Sequence, residues 1–478
     1  MASNEGERIV ESLERKLTEE EVSRRDFFVK AGKAGIAAGG LLSFPAFLAA
    51  CGGGTTTTTA ATTATTTAAT TATTAGQTAT TAAAATGKTF ADIFPGGAAA
   101  GQGVTFQDGM MLAMTGQGSF FGKVMSQGAQ FASKQIKANG GPDFVINIAD
   151  HESGLVPPAM AGMRRLTTQN KIKTLQTSYG APSEAIIPLI QTSKVLSFNG
   201  GGSSPGQLSK DFLWMTRMLF AYDPTDGGLA WLAKEKPDAK KLALVGTNEN
   251  GVEVWKEKAP RIWPKLQSGG TIVATEIHDV GLTDFAPIIA RVKAAGADAV
   301  FTVSFGDDLG YMVKQFREAN YEGPIVGIEF TEQAAKVAGA SYDTYNFATD
   351  YFDVESKNPW TAMFVKEYTA EYGEAPEYYG SNYYEQVFVI WELVRRVIAA
   401  GGDPQDTTLL QQALKDKPEF YSVYGGDEST VGTMSFDLND HSISKPMGVF
   451  GVKGGKPFLI VPIKKVSATD DPATALLA

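Results

Sequence analysis

From Val104 onward, short apolar runs alternate with stretches whose apolar residues recur every three or four positions. "MMLAMTG" (110–116) is apolar until a glycine stops it, the pattern of a strand buried on both faces. It leads into "FGKVMSQGAQFASKQIKANGG", where Met125, Ala129, Ala132 and Ile136 share one helical face and Gly140 supplies a stop. "DFVINIAD" predicts a second strand, and Met160, Met163 and Leu166 a second helix. "IKTLQTS", a further helix and "KVLSFN" complete a first set. A second set runs through "KKLALVG", "TIVATEI", "DAVFTVSF" and "GPIVGIEF". Between its later strands lie helical stripes of Phe285, Ile288, Ile289 and Val292, then Leu309, Met312, Val313 and Phe316. This alternation predicts an α/β protein of two lobes, each a parallel sheet covered by helices. In open sheets of that kind, ligands bind beyond the carboxyl ends of the strands.

The first 87 residues follow a different rule. "VSRRDFFVKAGKAGIAAGGLLSFPAFLAAC" joins paired arginines, Arg24 and Arg25, to a weakly apolar segment ending at Cys51, the only cysteine. The order is that of an export signal. The SRRxFF pattern resembles a twin-arginine signal, and Leu48-Ala49-Ala50-Cys51 resembles a bacterial lipobox. The alternative reading is an N-terminal membrane helix with an incidental cysteine. Under the lipobox reading residues 1–51 are a signal, and the membrane is reached only through lipid on Cys51, with a two-chain anchor stable where one chain would be marginal. From Gly52 to Gly87 the chain holds Gly, Thr and Ala plus Gln77, too little apolar surface to offset ordering entropy. Residues 52–103 are therefore expected to be a disordered tether, its low-complexity part reaching about 30–36 Å as a flexible coil.

A net charge of −10 without blocks of Lys or Arg argues against nucleic acid. Three scattered histidines propose no metal site, one cysteine forms no internal disulfide, and no cofactor is called for. There is no GxSxG elbow, HExxH helix or P-loop. "TGQGSFFG" after a strand looks like a dinucleotide loop, but its spacing is GxGxxxG and no acidic residue closes a second strand suitably. A secreted NAD(P)-dependent enzyme is thus a rival reading, and no catalysis the preferred one.

The strand ends hold the candidate chemistry. After "TLQT" come Ser178, Tyr179 and Gly180, and after "VLSFN" come three glycines, then Ser203 and Ser204. Such loops suit a carboxylate, through close backbone N–H groups and hydroxyls, or are plain turns. In the second set "VGIEF" ends on Glu329, which either receives an ammonium or is a solvated loop residue.

At these motifs the chain becomes recognisable. From about Val104 to Pro462, "LAMTGQGSFFGKVMSQGAQFASKQIKANGG", "TDFAPIIARVKAAGADAVFTVSF" and "MVKQFREANYEGPIVGIEF" resemble the type I periplasmic binding proteins of the leucine/isoleucine/valine-binding family, the substrate receptors of ABC importers. The resemblance implies two Rossmann-like lobes joined by a three-crossing hinge near 222–225, 348–352 and 437–445. Lobe I would comprise 104–222 and 350–440, lobe II 223–349 and 441–465, with 466–478 a tail. It implies that Ser178–Gly180 with Gly201 and Ser203 grip an amino acid's carboxylate, that Phe121 and Phe305 enclose it, and that Glu329 receives its ammonium. Asn250 stands at a further contact position. The hydroxyl expected in the first clamp falls on Gly180, and the triple glycine opens the second. Together with the lipobox, the resemblance implies a monomeric, extracytoplasmic, lipid-anchored receptor that passes a small amino acid to an ABC permease. Amides, urea and aromatic acids are alternative solutes, and sensing an alternative role.

Overall fold

The computed structural model describes residues 88–94, 100–202, 204–217, 223–248, 252–350, 352–464 and 472–476. Arg24, Arg25, Cys51, Ser203 and Asn250 lie outside the described residues. Helix α1 (Phe90–Ile93) is followed by β1 (Thr105–Leu112), α2 (Ser119–Ala138), β2 (Asp143–Asp150), α3 (Val156–Thr168), β3 (Thr174–Thr177), α4 (Gly180–Ala185), α5 (Ile187–Ser193), β4 (Leu196–Asn199) and β5 (Leu213–Met215). The five strands form a parallel sheet in the order β2-β1-β3-β4-β5. The second set is α6 (Asp223–Glu235), β6 (Lys241–Thr247), α7 (Val252–Leu266), β7 (Thr271–His278), α8 (Ala286–Ala294), β8 (Ala299–Val303), α9 (Gly306–Glu318), β9 (Ile325–Gly327), α10 (Glu332–Ala338) and β10 (Tyr345–Thr349).

The chain then returns to the first lobe through α11 (Pro359–Tyr372), α12 (Tyr378–Ala399) and α13 (Thr407–Asp416). Three short antiparallel strands come next, β11 (Glu419–Gly426), β12 (Val431–Phe436) and β13 (Ile443–Ser444). Finally β14 (Met447–Lys453) and β15 (Lys456–Ile463) complete the larger sheet, ordered β15-β14-β10-β9-β8-β6-β7. The α/β architecture with parallel sheets matches the alternation in the sequence up to β10, and the late strands depart from it. β14 and β15 join antiparallel, because the last passage is a hairpin instead of a strand-helix unit. Its turn, Gly454-Gly455, has φ of 59° and 72°, a left-handed pair that the tight hairpin requires and that only glycine adopts freely. Asp343 accepts hydrogen bonds from both of these N–H groups. β13 still pairs with β12, so residues 443–444 belong with the small sheet of the first lobe and the chain enters the larger sheet at Met447.

Residues 88–94, which the sequence places within the expected tether, are folded onto the first lobe. Thr89 and Asp92 form a capping box around α1, and Phe90, Ile93 and Phe94 are buried. Phe94 packs 5.0 Å from Trp360, and Phe90 lies 5.5 Å from Trp391. These three side chains cover an aromatic surface of α11 and α12, and that burial orders a segment next to a tract that has nothing to bury.

A buried carboxyl group sits within the core of the first lobe. Asp108 on β1 is fully buried, accepting from Thr174 Oγ1 at 2.7 Å and Gln176 Nε2 at 2.6 Å. Burial pushes its carboxyl up to about 6, against the pull of those bonds. A raised carboxyl binds a proton in the folded chain before the unfolded one does, so it favours folding at low pH and that contribution fades as pH rises through 6. Asp108→Asn removes the titration, and Gln176, whose Oε1 has no partner, has an acceptor to offer the new amide. The gap between wild type and Asp108→Asn is expected to move in favour of wild type by up to about 3 kcal/mol on going from pH 7 to pH 4. Urea unfolding across that range reads it, and parallel pH profiles would refute it.

Candidate functional site

A cavity of about 540 Å³ lies where the carboxyl ends of the strands of both lobes converge. From the first lobe it is lined by Gln117, Gly118 and Phe121 after β1, Ser153 and Gly154 after β2, Tyr179 to Pro182 after β3, and Gly201 and Gly202 after β4. From the second come Thr247 and Asn248 after β6, Gly281 and Thr283 after β7, and Phe305 to Asp308 after β8. Tyr379, on the first turn of α12, completes the wall. The lobes touch across the cleft. A Cβ on Gly281 would stand 2.4 Å from Gln117 Oε1, and one on Gly306 would stand 3.4 Å from the ring of Phe121. This is a closed arrangement, enclosing space sized for a small organic molecule.

The loop after β3 is under backbone strain. Tyr179 has φ 63° and ψ 149°, a region nearly reserved for glycine. Gly202 explains how it persists: any Cβ there would come within 2.6–2.9 Å of the backbone of Tyr179, so the two loops pack main chain against main chain. The phenol lies over Gly118, and its ring meets His151 edge-on at 4.9 Å. From Tyr179 the chain turns into α4, whose first N–H groups, on Gly180 and Ala181, have no acceptor within their own helix and border the cavity.

Phe121, Tyr179, Gly180, Gly201 and Phe305 are thus brought together on the wall. Ser178 and Glu329 are not on it. Ser178 is fully buried behind it. His151 Nδ1 accepts from Gly154 N–H at 3.0 Å, so Nε2 carries the proton and donates to Ser178 Oγ at 3.0 Å. The serine in turn donates to Met111 O at 3.2 Å. Burial pushes the imidazole down to about 4, so it stays neutral at physiological pH and this chain of bonds is stable. The Ser178 hydroxyl is occupied in holding β1, β3 and the β2 loop together. Gly201 and Gly202 reach the wall, but both N–H groups donate to Asn199 Oδ1, at 3.0 and 3.2 Å.

Glu329, just past β9, is also buried. One carboxylate oxygen accepts from Gly306 N–H at 3.0 Å and the other from the Tyr379 hydroxyl at 2.6 Å. Burial pushes its carboxyl up, while Arg217, Tyr379 and Gly306 hold it back. The wall in front of it carries other acids. Asp308 accepts twice from Gly281 N–H, at 2.9 and 3.1 Å, which ties α9 to the loop after β7. Burial, with Asp307 adjacent, raises its carboxyl to about 6. Asp307 is half-buried and lines the cavity. No Lys or Arg is on this wall among the described residues. Sequence reasoning passed over Asp307, Asp308, Gln117 and Tyr379. The signal for the aspartates was available, since "SFGDD" follows an apolar strand directly.

Residues 105–456 match the family model described as "Periplasmic binding protein". The chain is similar to the Leu/Ile/Val-binding protein homolog 1 of Brucella suis biovar 1 (strain 1330), 25% identical over 330 residues, which are 66% of this chain and 84% of that one. Among solved structures it is similar to a leucine binding protein, LivK, from Thermotoga maritima MSB8. The TM-score is 0.63 at 19% identity, covering 75% of this chain and 98% of that one. An R. palustris ABC transporter solute binding protein in complex with benzoate matches with a TM-score of 0.64 at 17% identity, covering 75% and 96%.

Proposed function

This chain belongs to the periplasmic binding protein family, and on that premise we propose that it is the solute receptor of an ABC importer, binding a small branched-chain-like amino acid between its lobes. What supports the reading is the make-up of the cavity wall: Gly180 and Ala181, at the N-terminus of α4, line it from one lobe, and Asp307 and Asp308 line it from the other. A zwitterion satisfies both sides, its carboxylate at the β3–α4 turn and its ammonium toward α9. Phe121, Tyr179 and Phe305 supply apolar area for its side chain. Ser203 and Asn250, next to wall residues in sequence, are proposed as further contacts. Binding then works by population shift, because the solute touches both lobes only when they are closed. The protein is proposed to act as a monomer outside the cytoplasm, held by lipid on Cys51 and handing its solute to a permease without performing chemistry.

Calorimetry with leucine, valine and benzoate tests this. Leucine or valine is expected to bind, and Asp307→Asn to weaken that binding at least tenfold, about 1.4 kcal/mol. The ring-rich wall favours an aromatic acid as the second reading. Benzoate binding that is indifferent to Asp307→Asn, with no amino-acid binding, would establish that reading instead.

A further inference from the structure

The cavity is joined to the hinge by a buried polar chain, and Tyr379 stands where the two meet. Its ring faces the cavity, 5.1 Å from Phe121, yet the residue as a whole is buried. Its hydroxyl accepts from Arg217 Nη1 at 2.7 Å and donates to Glu329 Oε2 at 2.6 Å. Arg217 follows β5, where the chain leaves the first lobe. Its guanidinium lies 4.8 Å from the ring centre of Tyr379 and donates through Nε to Tyr378 at 3.0 Å. Tyr378 donates to Asp350, which follows β10 in the return crossing and lies 3.8 Å from Arg217. Glu329 is fixed to the second lobe by Gly306 N–H and by the Tyr345 hydroxyl, which donates to its carbonyl at 2.9 Å. The hydrogen bond between Tyr379 and Glu329 therefore runs from the helix layer of the first lobe to a strand end of the second, inside the protein.

We infer that Tyr379 is a positioning residue for closure: its hydroxyl latches the two lobes through Glu329, and its ring transmits the state of the cavity to that latch. Opening the cleft separates α12 from β9, breaks this bond and leaves a buried carboxylate with fewer donors, so the bond favours the closed form. Glu329 acts on the solute through the closed population, without touching it. The apparent affinity falls in proportion to the fraction of molecules that are closed. This role does not depend on which solute the cavity takes.

The folded body contains no cysteine, so a pair introduced one per lobe, in the full chain with Cys51→Ser, reports lobe separation by single-molecule fluorescence transfer. Without solute, Tyr379→Phe is expected to lower the closed fraction at least threefold relative to the same chain with Tyr379. It keeps the ring, so the wall is preserved. Glu329→Ala removes the acceptor and is expected to open the lobes likewise, providing a second route if either variant folds poorly. Equal closed fractions in wild type and variants would overturn the inference. So would a Glu329→Ala chain that binds solute weakly while its solute-free separation is unchanged, since the carboxylate would then be acting on the solute itself.

Discussion

Replacing Lys445 by methionine is expected to destabilise the protein by about 3–5 kcal/mol. Lys445 lies in the third crossing, between β13 and β14, and its side chain is completely buried. The ammonium sits 2.9 Å from Glu385 Oε1 on α12, donates to Thr216 O at 3.0 Å and lies 4.0 Å over the Tyr424 ring. Glu385 is equally buried, its other oxygen accepting from Ser422 Oγ and Val423 N–H. Methionine fills the volume but leaves a carboxylate in low dielectric without its counter-ion, and that uncompensated charge is the source of the cost. The loss should therefore be repaired from the other side. Lys445→Met with Glu385→Gln keeps an acceptor for Ser422 and Val423 and removes the charge, so more than half of the stability should return. Urea unfolding of the two singles and the double measures this as a cycle. Additive losses would mean that the pair does not interact. The same crossing ties to Thr216 beside Arg217, so the variant should also loosen the hinge, visible as faster local exchange of the amides around 214–217.

How far the sequence reveals this molecule depends on which forces set each part. β6 and β8 are near-continuous apolar runs because parallel strands are covered on both faces, while β3 and β4 are equally buried but carry Thr, Gln, Ser and Asn; the helices between them show a buried stripe, and that period survives in a single sequence. α1 and β11–β13 are different. "TFADIF" is too short to show a period, and its three apolar residues are ordered by a surface made of Trp360, Phe388 and Trp391, hundreds of residues away. β13 is two residues long and defined by its partner alone.

The site divides along the same line. That ligand-facing groups follow the strands is a property of the topology, so Phe121, Tyr179, Gly180, Gly201 and Phe305 were readable as positions. Which polar atom is left for a solute was not, because that depends on what else each atom touches. Ser178 and Glu329 are the residue types such a site calls for, and both are engaged by His151 and by Tyr379 with Gly306. Tyr379 lies fifty residues beyond Glu329, and nothing in "EYYGSNYYEQ" marks its first-turn hydroxyl as the partner. Asp307 and Asp308 look like ordinary acids complementing a helix N-terminus until the cavity beside them is seen.

The packing of α2 on α12 yields the last prediction: Gly128→Val should cost about 3 kcal/mol or more and weaken solute binding as well. On helix propensity alone, replacing a mid-helix glycine is favourable by some tenths of a kcal/mol. Contact reverses the sign. A Cβ on Gly128 would stand 2.0 Å from the carbonyl oxygen of Gly380, and one on Gly380 would stand 3.0 Å from Val124 O, so the two helices cross backbone to backbone. The obstructing atom belongs to the main chain of a buried helix and has no rotamer to yield, so the helices must separate by more than an ångström. Gly380 follows Tyr379 directly, and separation at this point carries the cavity wall and the Arg217 contacts with it. A lowered melting temperature together with reduced affinity is the expected result, with far-UV circular dichroism little changed. A valine variant as stable and as tight-binding as its parent would show that the crossing is loose and that α12 is not held to the cavity by this contact.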